Sequence, residues 1–311
     1  MILMLLIICA NPAVDRSLTI PNLTVGAVNR THSSMTAAGG KGFNVARATH
    51  TLGGTATCAS FVGGRTGRWL ADLAEAEGLG ARWTWIESET RICSIMVDPV
   101  AGTATVVNEQ GPQVTAADWA AFAGDVQAAA ADCAVAGFSG SLPPGSPVEA
   151  YARLVRDLAG TRPVWVDSSG ASLKAALEIP GIGLKVNGEE AGAILGRNIE
   201  SVPEALAAAD ELRERGLAAA VLTLGAEGAV ISHPEARGWA KPPRLNVLSA
   251  VGSGDSFFAG LLLALSEGRP VADALCRAAA AGAANALSVG GGSFARADFD
   301  RIYSETRFQG L

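Results

Sequence analysis

The sequence predicts an α/β chain built around a mainly parallel sheet with helices on both faces, and three observations lead there. From Val114 onward, short apolar runs rich in branched residues alternate with longer segments of helical period. Glycine-rich turns follow several of those runs, where the strands of a parallel sheet hand over to helices. Two β-rich pieces, about 12–37 and 90–111, interrupt the alternation and are placed together as a small lid on a single domain spanning 1–311.

Taken in order, Met1 to Ala10 is a continuous apolar run that ends at Asn11–Pro12, a turn signal, and reads as a buried first strand. Leu18 to Thr36, rich in Thr, Ser, Val and Asn, reads as short strands around a turn at Gly26. A helical pattern from Phe43 to Leu52 is closed by Gly53–Gly54, "TATCASFVGG" is a buried strand, and "GRWLADLAEAEG" is a helix with Leu70, Leu73 and Ala74 on one side. Arg91–Val97 and Thr103–Asn108 form the second lid pair.

The alternation then places helices at Ala116–Ala131, Pro147–Leu158, Ser172–Leu177 and Pro203–Arg215. The strands between and after them are Cys133–Gly137, Pro163–Asp167, Gly183–Val186 and Ala219–Leu224, with edge strands near Ala229–Ser232 and Gly238–Ala240. Helices at Ser253–Ser266, Val271–Ala286 and Arg296–Ser304 close the chain.

Composition excludes several functions. With 24 basic against 30 acidic residues in 311, the net charge of −6 gives no electrostatic basis for wrapping nucleic acid or adhering to an anionic membrane. Cys9, Cys58, Cys93, Cys133 and Cys276 lack CxxC spacing, and His32, His50 and His233 are equally dispersed, which argues against a structural zinc site and a disulfide framework. The apolar start has no basic residue before it and is too short to span a bilayer, so a cytoplasmic protein is expected.

The chemistry-bearing residues lie in loops. In "AVGSGDS", Gly252 and Gly254 let the backbone turn tightly at the head of an apolar helix, so that the N–H groups of residues 252 to 255, Ser253 included, face an anion. Asp255 beside that cradle would repel a phosphate unless its task is to take a proton from an attacking hydroxyl, which makes it a candidate general base. The same residues are also consistent with an ordinary helix cap by Ser253 or Asp255. In "GGKGFNVAR", Gly39, Gly40 and Gly42 form a flexible approach, Lys41 offers a point charge and Asn44 an amide in the first helical turn; the GxxxxGK[ST] spacing of a P-loop is absent.

Asp15 is a short carboxylate suited to two adjacent sugar hydroxyls or to an Asx turn, and Arg91 opens a lid strand as either a phosphate clamp or a solvated edge residue. Ser139 begins "SGSLPPG", a loop that fixes an anion or simply turns the chain. Asn187 and Glu190 in "VNGEE" are spaced to orient a hydrated Mg²⁺ or to start a helix, and "TLGAEGA" puts Thr223, Gly225 and Gly228 after a strand, where a nucleotide passes close to backbone or a hairpin turns. Neither HExxH nor a Ser or Cys motif beside a histidine is present, and the first strand leads into "ANPAVD" rather than GxGxxG, against acyl and hydride transfer.

In order along nearly the whole chain, "NPAVD", "GGKGFNVAR", "SGSLPPG", "VDSSG", "LKVNGEE", "TLGAEGA" and "AVGSGDS" resemble the ribokinase-like, or PfkB, carbohydrate kinases, most of all their phosphosugar branch. The resemblance implies a three-layer sandwich with a β-rich lid. It implies Asp255 as catalytic base with the Gly252, Ser253 and Gly254 amides as anion hole. Asp15, Gly39, Gly40, Lys41 and Asn44 would hold the sugar, with Lys41, Arg91 and Ser139 near its existing phosphate. Lys185, Asn187, Thr223, Gly225, Gly228, Ser249 and Asn285 would lie around ATP, and Asn187 and Glu190 would position Mg²⁺, mainly through water. The adenine pocket would be closed in part by "AAGAANALSVGG". One departure is "KVN" where the family has "KPN", which removes a fixed φ next to Lys185.

The activity implied is transfer of the γ-phosphoryl of ATP to a ketohexose monophosphate, first fructose 1-phosphate, on the strength of "GAVNR", Lys41 and "ETRI". Fructose 6-phosphate, tagatose 6-phosphate and an unphosphorylated sugar or nucleoside are the enzymatic alternatives, and a sugar-phosphate-binding protein without catalysis is the non-enzymatic one. A homodimer through the lid is expected, since the apolar "ICSIMV" strand benefits from cover.

Overall fold

The computed structural model describes residues 4–311, so Met1–Leu3 of the expected first strand lie outside it. The chain runs β1 (Met4–Ile8), β2 (Ala13–Thr19), β3 (Ser33–Gly39), α1 (Lys41–Thr51), β4 (Thr55–Gly63), α2 (Gly64–Ala76), β5 (Gly80–Ile86), β6 (Arg91–Asp98) and β7 (Thr103–Asn108). There follow α3 (Ala116–Ala130), β8 (Cys133–Ser139), α4 (Val148–Ala159), β9 (Val164–Asp167), α5 (Gly170–Leu177), β10 (Gly183–Asn187), α6 (Gly188–Leu195), α7 (Val202–Glu214) and β11 (Ala219–Thr223). A 3₁₀ turn at Gly225–Glu227, β12 (Ala229–His233), β13 (Ala236–Lys241), α8 (Ser253–Ser266), α9 (Val271–Asn285), α10 (Arg296–Glu305) and β14 (Arg307–Gly310) complete it.

The larger sheet has the order β14-β13-β12-β11-β10-β9-β8-β1-β4-β5. From β11 to β5 every pairing is parallel, and β12, β13 and β14 add an antiparallel end. Strand β1 shows why the sequence has to be apolar without alternation here. Leu5, Ile7 and Cys9 enter one core with α1, α8 and α9, while Leu6, Ile8 and Ala10 enter the other with α3, α4 and α7. The amphipathic helices cover both faces, which gives the expected three layers.

The lid is a separate four-stranded sheet of order β3-β2-β6-β7. Val14 and Ala38 on one face and Cys93 and Ile95 on the other are buried, whereas every residue of β7 is exposed. The fold is thus the α/β sandwich with a small β lid that the sequence predicts. Two strands were not anticipated. β5 extends the sheet beyond β4 from a stretch, "GARWTWI", that carries tryptophans rather than aliphatics. β14 pairs outside β13 from Gly238↔Gly310 to Lys241↔Arg307, so the segments near Ala229–Ser232 and Gly238–Ala240, both expected at the edge, are interior to the sheet.

Candidate active site

Ser139, Asp167, Asn187 and Thr223 are the last residues of β8, β9, β10 and β11, with Ser139 level with Asp167 and Asn187 level with Thr223. Because these strands are parallel, all four stand at one edge of the sheet, where the loops to the next elements leave a crevice. Lys41 and Asn44 enter the same crevice from the first turn of α1, and Asp255 from the first turn of α8.

Asp255 is buried, and its Oδ2 accepts a hydrogen bond of 2.9 Å from Asn44 Nδ2. Burial raises its carboxyl to about 6, with Lys41 opposing, Asp167 reinforcing, and Asn44 and Lys185 opposing. A carboxylate so tuned ionises near neutral pH and keeps appreciable basicity, which suits a general base. The plain capping alternative is excluded, because α8 is capped by Gly252 with no side-chain cap hydrogen bond.

Gly252 takes φ 80°, ψ −2°, the left-handed region, and a Cβ on it would overlap the Cα of Gly291. Only glycine fits both constraints. Among the described residues the N–H groups of Gly252, Gly254 and Asp255 carry no backbone partner, whereas Ser253 N–H donates to Ala250 O at 3.2 Å within the turn. The expected cradle of four amides is therefore corrected to three, and Ser253 instead contributes a buried Oγ without a partner. Lys185 Nζ stands 3.0 Å from where a Cβ on Gly254 would be, so a cation faces these amides. Val186, the departure from "KPN", is buried and keeps β10 paired with β11 at Leu222, which leaves Lys185 in place.

Asp167 organises the cations. Fully buried, it accepts from Lys185 Nζ at 2.8 Å and pairs with Lys41 Nζ at 3.4 Å. Burial opposes its ionisation, but the two lysines outweigh that and hold its carboxyl below the ordinary range. Asp167 in turn raises Lys41, against burial. Sequence reasoning assigned Asp167 no role. The available signal was an acid ending the apolar strand "VWVD", where only a cation could compensate its burial.

The remaining predicted residues divide. Asp15 stands over Gly39, whose Cβ would overlap its carboxyl; burial raises it to about 6 against the Gly40 N–H, Arg47 and Arg91. Gly40, with φ 89°, turns the chain from β3 into α1. Ser139 Oγ is buried without a partner among the described residues, beside the Gly140 loop that packs on Lys41. Arg91 donates to the carbonyls of Asn11 (2.8 Å), Glu109 (3.2 Å) and Pro12 (3.3 Å), so part of its guanidinium already braces the lid's base.

Thr223, Gly225 and Asn187 line an open cleft of about 640 Å³ with Gly188, Leu224 and Glu227. Gly228 lies outside it, closing the turn against Ala240. Ser249 accepts the Val251 N–H in the loop that leads to α8. Asn285 corrects its prediction: it is fully buried, accepts from Ser256 Oγ and donates to Val251 O, so it fastens the Gly252 turn and faces no open space.

Asn187 and Glu190 form a reciprocal capping box on α6, each accepting from the other's N–H. No cluster of three or more His, Cys, Asp or Glu able to hold a metal occurs among the described residues. Glu190 Oε1 takes no part in the box, and the charge of Glu190 reaches Lys41, so it fits a water-mediated cation beside nucleotide phosphates and not a protein-caged ion. No helix among the described residues is long and apolar enough to cross a membrane.

Residues 8–297 match the family described as pfkB family carbohydrate kinase. The 1-phosphofructokinase of Haloferax volcanii is 34% identical over 273 residues, 88% of this chain and 87% of that protein. The 1-phosphofructokinase of Bacillus subtilis is 30% identical over 286 residues, 92% and 93%. The crystal structure of phosphofructokinase-2 from Escherichia coli in complex with fructose-6-phosphate superimposes with a TM-score of 0.90 at 27% identity, covering 97% of this chain and 99% of that one.

Proposed function

The chain belongs to the pfkB family of carbohydrate kinases and is an ATP-dependent phosphosugar kinase, and from that premise we propose that Asp255 is its base and the α8 turn its phosphoryl cradle. The observation that carries this reading is the pairing of one buried carboxylate, held by Asn44, with three unpartnered amides at the same helix start. The amides and the α8 dipole receive the charge that spreads over the transferring phosphoryl oxygens. Asp255 takes the proton of the attacking hydroxyl as it approaches phosphorus. Holding that hydroxyl in line is itself worth several orders of magnitude in rate, roughly, by removing translational and rotational freedom.

Asp15, under the Gly39–Gly40 turn, grips the sugar hydroxyls, while Lys41, Ser139 and the free donors of Arg91 take the phosphate already present. Closure of the β3-β2-β6-β7 sheet over them excludes water, which would otherwise accept the phosphoryl group. The nucleotide lies along Thr223 and Gly225, with Gly228 shaping their turn from outside the cleft, Ser249 at the turn leading to α8 and Lys185 toward its phosphates. Bound Mg²⁺, reached through water by Glu190 and Asn187, would neutralise phosphate charge.

The acceptor is a fructose monophosphate. Fructose 1-phosphate is supported by the two 1-phosphofructokinases, and fructose 6-phosphate by the structural relative solved with it. A fructofuranose carries a CH₂–O group on each side of its ring oxygen, so a site gripping the ring hydroxyls accommodates either orientation. Coupled ADP release with ATP and Mg²⁺ across fructose 1-phosphate, fructose 6-phosphate, tagatose 6-phosphate and fructose decides the acceptor. Dominant turnover of fructose would overturn the roles given to Lys41, Arg91 and Ser139, and near-normal turnover by Asp255→Asn would overturn that of the base.

A further inference from the structure

A side-chain network outside the substrate crevice joins the lid to the base. Arg47 lies one turn after Asn44 on α1, and four of its five N–H groups are engaged. Nε pairs with Glu77 Oε2 at 2.5 Å, Nη1 donates to Asn44 Oδ1 (3.0 Å) and Gly291 O (2.7 Å), and Nη2 donates to Ala38 O (2.6 Å). Glu77, the residue that ends α2, accepts the Ala38 N–H on its other oxygen at 2.9 Å. Both main-chain groups of Ala38 on the open edge of β3 are therefore held by one half-buried ion pair, one residue before the Gly39–Gly40 turn.

The geometry has a directional consequence. By donating to Asn44 Oδ1, Arg47 fixes which way the amide faces, and only that way does Nδ2 donate to Asp255 Oδ2. Gly291, the other Nη1 acceptor, packs against the Asn44 side chain and against Gly252, so the same guanidinium also sets the wall of the anion cradle.

We propose that Arg47, with Glu77 as counter-ion, is the positioning residue that couples lid strand β3 to the base, by holding Asn44 and the Gly291 wall in register with Ala38. The proposal rests on the reading of Asp255 as the base. A lid that is correctly seated leaves Arg47 with all its acceptors, and a displaced lid withdraws Ala38 and loosens Asn44, so catalysis is tied to closure.

The test uses full-length Arg47→Met, Arg47→Lys and Glu77→Gln with whichever sugar phosphate the wild type phosphorylates. The readouts are kcat, KM for ATP, the acid limb of kcat/KM, and thermal unfolding. Arg47→Met is expected to lose about 10- to 100-fold in kcat, the scale of a small misplacement of reacting groups, with KM for ATP within about threefold. Its acid limb moves to higher pH by about half a unit or more, because Asp255 loses the Asn44 donor while still facing Lys41, Lys185 and Asp167. Asp15 moves the same way, since Arg47 and Arg91 are the charges that lower it.

Arg47→Lys restores part of kcat, and Glu77→Gln shifts the limb in the same direction by less. A brace with only a structural role would lower the unfolding temperature in all three while leaving kcat per folded enzyme at the wild-type value, and the limb unmoved in Arg47→Lys, which keeps the charge that acts on Asp15; that result overturns the proposal. If Arg47→Met does not fold, an unmoved limb in both other variants overturns it equally. Full activity of Asp255→Asn beside an active wild type would remove the base itself, a failure distinguishable from that of the Arg47 coupling.

Discussion

Asp167→Asn tests whether the buried acid sets both the stability and the proton affinity of the site. The substitution removes the negative charge between Lys185, itself only 5% exposed, and Lys41, and leaves Lys185 a buried cation. Breaking such a pair costs about 3–5 kcal/mol, and the lower end applies because Asp255 remains nearby and Lys41 reaches solvent. With about 2.1 cal/mol/K of unfolding entropy per residue, 311 residues give roughly 0.65 kcal/mol/K, so about 3 kcal/mol lowers Tm by about 5 °C. Since the carboxyl of Asp167 is held below its ordinary range, this contribution is present at pH 7 and is lost only as pH falls through that lowered value.

The same charge raises Asp255, so its removal makes that acid easier to ionise. The acid limb of kcat/KM then moves to lower pH, opposite in sign to the effect of Arg47→Met. Calorimetry and coupled ADP release from pH 5 to 8 supply both readings. An unchanged Tm would refute the buried pair, and a limb that moves to higher pH would refute the account of the field at Asp255.

Gly252→Ala should lower kcat by about 10²-fold, the scale of losing an oxyanion donor, because a Cβ at that φ overlaps Gly291 and shifts the cradle; steady-state kinetics check it, and Gly291→Ala should act alike. Wild-type kcat/KM should fall below about pH 6 with a slope approaching two protons, because Asp15 and Asp255 are both raised to about 6 and both act ionised; Asp15→Asn, assayed at substrate below its KM, should remove one proton from the slope. A homodimer through the lid is expected, but not to cover "ICSIMV": that stretch lies in β6, already flanked by β2 and β7, and the strand left to cover is the outer β7, exposed along its length with Val106 at 45% and Val107 at 51%; light scattering that shows a monomer at micromolar concentration would contradict it.

What was legible in the sequence follows from how each residue's environment is encoded. The strand and helix alternation was readable because burial on both sheet faces forces an unbroken apolar run, as in β1. β5 was not, since its tryptophans and arginine satisfy a one-sided edge position that carries no such run. β14 needs only four residues and a partner already in place, so its evidence lies in β13 and not in its own composition.

The site divides on the same line. Asp255 and Gly252 were recognisable because one local stretch concentrates glycine and acid where a cap needs neither in that number. Asp167, Arg47 and Gly291 act across 126, 30 and 244 positions of chain, on Lys41, Glu77 and, again, Arg47. Arg47 closes "GGKGFNVAR" three residues after Asn44, but the local sequence does not say that its guanidinium turns to Asn44 and Gly291 and not to solvent, and its partner Glu77 reads as one more acid near a helix end. The Asn285 prediction failed for the same cause: a polar residue in an apolar helix must find partners, and the sequence cannot say whether they are a ligand or the loop at Val251. Positions proposed to touch ligand are written in local motifs, whereas positions that hold those motifs in place are written in the fold, so it is the second class that the structure adds.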